Sequence, residues 1–250
     1  MFRSGQLVLT PTDLSAFLGC RHRTALDLAV LHGVLKKPTW TDPFAQSLAE
    51  RGLEHEQRYL DALRADGRTV VEIPTDGAPG VGVAATRAAM ASGADVIYQA
   101  ALEMPGWFGR ADVLVRVNRP SALGAWSYEP HDTKLARETR GGAILQLSAY
   151  AEMLGHMQGA TPERFHVVMP APVADAPTPT FRVESFRVAD YAAYYRRVRA
   201  DLLASVAAGH ERGLASTYPE AVDACEVCRW WAHCHDKRRA DDHLLFVAGM

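Results

Sequence analysis

Cysteine is scarce in this chain and unevenly spread. Cys225, Cys228 and Cys234 fall within the ten residues CEVCRWWAHC, while Cys20 stands alone near the other end. A C-x2-C-x5-C run supplies three thiolates from one segment, and the distant cysteine completes a tetrahedral set. If the four act together, residue 20 must meet residues 225–234 across nearly the whole fold, and a bound centre there staples the two ends of a very long loop. Structural zinc more often draws on two local pairs of ligands. Three clustered cysteines plus a remote one suit a [4Fe-4S] cubane, which has four iron corners to fill, with Zn²⁺ as the alternative.

With 250 residues, the chain is long enough for a full core, and its 48% hydrophobic and 22% charged content is ordinary for a globular protein. The formal charge of −2 excludes bulk attraction to nucleic acid, so any polyanion site must be a local basic patch. No stretch approaches a membrane span, and the opening MFRSGQLVLTPTDL meets Pro11 too early for a signal peptide. A cytoplasmic location and no membrane partner are therefore expected, and in a reducing compartment four cysteines bind metal rather than pair as disulfides. The apolar end LLFVAGM, without a cap or polar run, suggests a segment of a longer protein.

Local patterns divide the chain into alternating helices and strands. Thr10-Pro11-Thr12-Asp13 reads as a helix start with a capping box, followed by Leu14, Phe17 and Leu18 on an apolar face. RTALDLAVLHG is a second helix stopped by Gly33. Asp42-Pro43 opens a third that runs to about Gly67, with Phe44, Leu48, His55 and Tyr59 along one side. TVVEIP is a short strand, DGAPGVG a loop and AATRAAMASG a helix. ADVIYQAALE and WFGRADVLVRVN form a hairpin about a Pro-Gly turn. AWSYEPHDTKLA is a third strand, AILQLSAYAEMLGHM a helix, RFHVVMP a strand, APVADAPTPT a Pro-rich loop, FRVESFRV a strand and ADYAAYYRRVRADLLASVAAG a long helix. The expected class is α/β with a mixed central sheet flanked by helices.

The chemistry concentrates at Asp132-Thr133-Lys134. Strand alternation puts Asp132 and Lys134 on one face, where a carboxylate can hold a divalent metal and an ammonium can stabilise developing charge. The preceding strand offers Asp112 in GRADVL, and acidic positions on neighbouring strands can share one Mg²⁺ or Mn²⁺. Upstream, His55 in GLEHE is a candidate ligand, with Glu54 and Glu56 as competitors. Downstream, Gln146 and Tyr150 in QLSAY lie i, i+4 on one helix face. Glu103 and Glu129 lie near by sequence without an assigned role.

This ordered set, together with GADVIYQA and YEPHDTKLAR, resembles the RecB-like branch of the PD-(D/E)XK nucleases, over nearly the whole chain. The match is to the nuclease module that precedes a helicase in bacterial RecB-like proteins. The four-cysteine pattern is similar to that of the AddB-type and CRISPR-associated RecB-like exonucleases. The resemblance implies a single nuclease domain over 1–250, with a nuclease core at about 42–190 and cluster-binding segments at about 10–35 and 215–240. It implies His55, Asp112, Asp132 and the Thr133 backbone carbonyl as ligands of Mg²⁺ or Mn²⁺, and Lys134 as the catalytic lysine. Gln146 and Tyr150 would face substrate, and Cys20, Cys225, Cys228 and Cys234 would hold an iron–sulfur cluster.

The implied activity is metal-dependent hydrolysis of DNA phosphodiesters, on single strands or free ends, in repair, recombination or defence, with a helicase domain or subunit as a possible partner. The alternative is a non-catalytic iron–sulfur or zinc module that binds DNA within a larger helicase–nuclease. If Cys20 meets the C-terminal cysteines, Arg21, His22, Arg23, Arg229, Lys237, Arg238 and Arg239 converge into one basic patch, with Trp230 and Trp231 placed either to stack on bases or to pack.

Overall fold

In the computed structural model, residues 2–3, 6–39, 43–171 and 180–247 are described. Strands β1 (Phe2–Arg3) and β2 (Gln6–Leu7) form a short ribbon, followed by helices α1 (Pro11–Gly19), α2 (Arg21–Leu31) and α3 (Pro43–Ala65). Strand β3 (Val70–Glu72), helix α4 (Pro79–Ala91) and strands β4 (Val96–Met104), β5 (Trp107–Val117) and β6 (Ser127–Thr133) come next. Helix α5 (Gly141–Gln158), strands β7 (Arg164–Pro170) and β8 (Phe181–Arg187), and helices α6 (Val188–Arg212) and α7 (Trp231–Ala240) complete the order.

The six strands β3 to β8 lie in sequence order in one sheet. β3 and β4 are parallel, as are β6 and β7, and the remaining neighbours are antiparallel. The protein is thus α/β with a mixed sheet flanked by helices. The β4–β5 hairpin closes at Met104↔Trp107 over Gly106, whose φ of +77° suits the residue without a Cβ.

Helix α1 begins as its sequence demands. Thr10 N–H donates to Asp13 Oδ2 at 2.7 Å, Asp13 N–H donates to Thr10 Oγ1 at 3.3 Å, and Pro11 occupies the first turn. Leu14 and Phe17 point inward but Leu18 is exposed, so the buried stripe is narrower than expected. Helix α4 starts at Pro79 rather than within AATRAAMASG, because Pro79 sets the first turn and the glycines after it are tolerated inside the helix. Gly82 is held to that residue type by packing, since a Cβ there would stand 3.1 Å from Ala101 Cβ. Helix α7 was not anticipated. Its sequence WAHCHDKRRA has no apolar stripe, and its only buried residues are Cys234 and Arg238. Asp42, the Pro-rich residues 172–179 and the tail residues 248–250 lie outside the described residues.

Strand alternation separates two cores. On one side α3 lays Tyr59, Leu60 and Leu63 over Val96, Val113, Val115 and Val168. Leu48, expected on this face, is exposed. The larger core joins Ile97, Leu102, Leu114, Phe165 and Val167 to Leu145, Met153 and Leu154 of α5, and to residues of α1, α4 and α6. Each fully buried leucine here contributes about 2 kcal/mol. A third, small cluster of Leu26, Trp230 and Cys234 fastens the C-terminal segment to α2. Among the described residues, no helix is long and apolar enough to cross a membrane.

Candidate functional site

The site forms where the sheet splits. β5 and β6 pair from Val117↔Ser127 to Val113↔His131, and the ladder stops there although β6 runs on beside β7 to Thr133↔Val168. Past the split, the Thr133 backbone N–H donates to Asp112 Oδ2 at 2.9 Å, and the Thr133 hydroxyl donates to the same oxygen at 3.2 Å. A carboxylate therefore replaces the missing strand partner, which fixes Asp112 beside Asp132.

Asp132 is 1% exposed, and the contact that meets its carboxylate is Lys134 Nζ, 2.6 Å from Oδ2. Its Oδ1 is buried without a hydrogen-bond partner. Burial, then the neighbouring Asp112 carboxylate, push the Asp132 pKa up to about 7, although Lys134 opposes the shift. Burial alone would lower the Lys134 pKa, yet Asp132 and Asp112 outweigh it and hold the ammonium above its ordinary value. A buried carboxylate crowded by a second one, with a single ammonium to meet them, is under-compensated, and an added cation relieves it.

Helix α3 contributes a further carboxylate. Glu54 is exposed and pairs with Arg58 at 3.2 Å, whereas Glu56 is buried and accepts from Gln99 Nε2 at 2.7 Å. Burial and Asp112 raise the Glu56 pKa, and Lys134 acts against them, so Glu56 belongs to the same electrostatic cluster. Gln99 carries φ +53°, rare for a residue with a Cβ, in the middle of β4. The β4–β5 register passes from Tyr98↔Val113 to Ala100↔Ala111, leaving Gln99 and Asp112 as the unpaired step between. Arg110 pins this distortion, donating from Nη1 to Gln99 O at 2.9 Å and from Nη2 to Pro74 O at 2.8 Å.

His55 sits beside this cluster with its own commitments. Its Nε2 is 3.1 Å from the Val168 carbonyl, and its ring lies 5.6 Å from that of Phe181. A carbonyl only accepts, so Nε2 carries a proton and donates to it, and Nδ1 is the ring nitrogen left for another partner. Gln146 and Tyr150 do share one face of α5, with Gln146 Nε2 3.4 Å from the Tyr150 hydroxyl. Tyr150 is 4% exposed, however, and its hydroxyl donates to the Arg110 carbonyl. It braces β5 next to Asp112 rather than standing open to solvent. Gly109 permits that contact, because a Cβ there would come within 2.9 Å of the Tyr150 ring. Among the described residues, no three His, Cys, Asp or Glu side chains are grouped so as to hold a single metal ion, and His55, Asp112 and Asp132 are no exception.

No family model and no curated protein matches this chain. Geometry and chemistry carry the reading alone.

At the other end of the molecule, Cys20, Cys225, Cys228 and Cys234 all line one cavity of about 100 Å³, walled by Ala16, Leu26, Pro219 and Trp230. The remote cysteine and the clustered three do meet, although no three of the thiols are close enough to share one ion. Burial and the other cysteines raise the Cys234 thiol pKa to about 11. Trp230 is buried, with Nε1–H donating to Asp27 Oδ1 at 3.0 Å, which fixes it as packing; Trp231 is half exposed and stacks on His235.

The basic residues nearby do not form one free patch. Arg238 is buried, and His22 is buried against Thr217 with its pKa lowered to about 4 by desolvation and His233. Arg21, Arg23 and Lys237 pair with Asp201, Asp27 and Asp241.

Sequence reasoning did not single out Gln99 or Arg110, and it named Glu56 only as a competitor of His55 for the ligand role. Glu56 left a trace, as a charged residue inside the buried stripe of His55, Tyr59, Leu60 and Leu63. A left-handed glutamine in a strand leaves none.

Proposed function

We propose that this chain is a metal-dependent deoxyribonuclease of the PD-(D/E)XK type, hydrolysing phosphodiesters of single-stranded or end-bearing DNA. The observation that carries it is Asp132: buried, crowded by the Asp112 carboxylate, paired with Lys134 through Oδ2 and with Oδ1 left without a partner. One ammonium meets two buried carboxylates, which leaves room for a cation at the open oxygen. The order of α3, the β4–β5 hairpin, the D-x-K strand β6 and α5 supports the same reading.

The donors are hard oxygens, which fit Mg²⁺ or Mn²⁺, and two carboxylates suffice for an ion that keeps several waters. Asp112, Asp132 and the Thr133 carbonyl would hold it, and His55, which is not grouped with them here, would have to move closer to offer Nδ1. Such an ion supplies Lewis-acid stabilisation of the charge that builds on the phosphate. Lys134, anchored by Asp132 and held charged by Asp132 and Asp112, places a fixed positive charge beside the same oxygens. Gln146, only partly buried, is the member of its pair left to meet DNA, while Tyr150 keeps β5 in place.

At the other end, the four thiols that line one cavity are read as ligands of a [4Fe-4S] cluster, with Zn²⁺ as the alternative. Around a single tetrahedral Zn²⁺ the sulfurs stand about 3.8 Å apart, whereas each iron corner of a cubane takes its own thiolate. The cluster serves as a staple between α2 and the C-terminal segment.

The test is digestion of end-labelled single and double strands with Mn²⁺ by wild type, Asp132→Ala and Lys134→Ala. Cleavage by wild type alone supports the enzyme. Tight, salt-sensitive binding without cleavage favours the non-catalytic DNA-binding module instead.

A further inference from the structure

Helix α7 docks in an unusual way. A ten-residue helix against a protein body should bury an apolar stripe, yet its two buried residues are a thiol and a guanidinium, Cys234 and Arg238, one turn apart. Arg238 is 2% exposed. Its Nη1 donates to the Pro219 carbonyl at 2.8 Å, and its Nε has no hydrogen-bond partner. None of the ion pairs among the described residues includes it, although its neighbours Lys237 and His243 both have acidic partners. A buried guanidinium without an anion costs several kcal/mol, so a sequence that keeps one inside a fold supplies an anion to meet it.

The charge available is sulfur. Cys234 lies one turn from Arg238 on the same buried face of α7, and Pro219, whose carbonyl accepts from Arg238, lines the cavity that the four cysteines share. Arg23, which lines the same cavity, already has an anion, Asp27 Oδ2 at 3.6 Å from its Nε, so Arg238 is the cation here that lacks one. Four thiolates around either a [4Fe-4S] core or Zn²⁺ leave a net negative centre, and such a centre is the anion that Arg238 lacks.

We propose that Arg238 is a positioning residue for the four-cysteine centre: it balances the negative charge of the ligated thiolates and makes the docking of α7 conditional on that centre being present. The inference rests on the reading that the cysteines hold a thiolate-ligated metal centre. It adds a residue that no cysteine spacing identifies. Lysine at 238 keeps the charge and loses the fork; methionine keeps the volume and loses the charge.

The experiment compares wild type, Arg238→Lys and Arg238→Met, each purified without oxygen. Iron, sulfide and zinc are measured per chain, together with visible absorbance and the rate at which a chelator strips the metal. Wild type should carry a stoichiometric centre, Arg238→Lys should retain most of it, and Arg238→Met should release it about tenfold faster or lose it in purification. Wild-type protein without iron, sulfide or zinc overturns the metal-centre reading itself. A centre of equal content and lifetime in wild type and Arg238→Met leaves that reading standing and overturns the role of Arg238. If Arg238→Met does not fold, Arg238→Lys decides: retention supports the charge argument, and release as fast as from unfolded chain overturns it.

Discussion

The two polar centres of this protein are built on opposite terms. The carboxylate cluster at Asp112, Asp132 and Glu56 sits at a split in the central sheet, with α3 on one face and α5 on the other, so its scaffold stands whether or not an ion is bound. The cysteine cavity lies in a corner whose own core is Leu26, Trp230 and Cys234, with Val30, Leu35, Leu214 and Cys228 only partly buried against it. Polar ties, Trp230 to Asp27, His22 to Thr217 and Arg238 to Pro219, do much of the joining. On the proposed reading, the fold holds the first centre ready for a cation, and in the second a ligand would help hold the fold.

The largest expected effect separates the two by what removal of their ligands does. Cys20→Ser should cost several kcal/mol and abolish hydrogen-exchange protection over residues 213–243. Stripping divalent metal with a chelator that spares the cluster should leave β4 to β7 fully protected. Equal loss of protection in both experiments would erase the distinction.

Next comes pH. The folded-state pKa of Asp132 is raised from 3.8 to about 7, so the fold favours its protonated form. Its contribution to stability in the absence of divalent ions is therefore complete below about pH 4 and is lost as pH rises towards 7. Urea midpoints of metal-free protein should fall across that window, Asp132→Asn should remove the fall, and Mn²⁺ should reverse it in wild type alone.

A smaller effect probes the brace. Tyr150→Phe removes the hydroxyl that donates to the Arg110 carbonyl and should cost about 1 kcal/mol in a denaturant melt. Cleavage should fall less than in Lys134→Ala, since the fixed charge is untouched. Smallest of all, Trp231→Ala should change stability by less than about 0.5 kcal/mol, because half of that ring is already in solvent. Trp230→Ala should cost about 3 kcal/mol or more.

The same contrast governs what could be read from the text. RFHVVMP and the Pro-Gly hairpin were legible because alternation and turn chemistry act locally, and the capping box at Thr10 and Asp13 likewise. The convergence of Asp112, Asp132 and Lys134 followed from strand order and phase. What stayed hidden depends on departures from regularity. Gln99 is turned to positive φ by Arg110 and by the carboxylate it serves, and no strand pattern announces that. Helix α7 was missed because its buried face is a thiol and a guanidinium rather than an apolar stripe. The expected basic patch dissolved for a related reason, since side chains close in sequence found separate partners in space.

The central claim is that Asp132 is a seat for a divalent cation, and Mn²⁺ binding followed by electron paramagnetic resonance tests it most directly. Wild type should immobilise Mn²⁺ stoichiometrically and Asp132→Asn should not, with both proteins equally folded. Identical binding by the two, or none by wild type, would contradict the account.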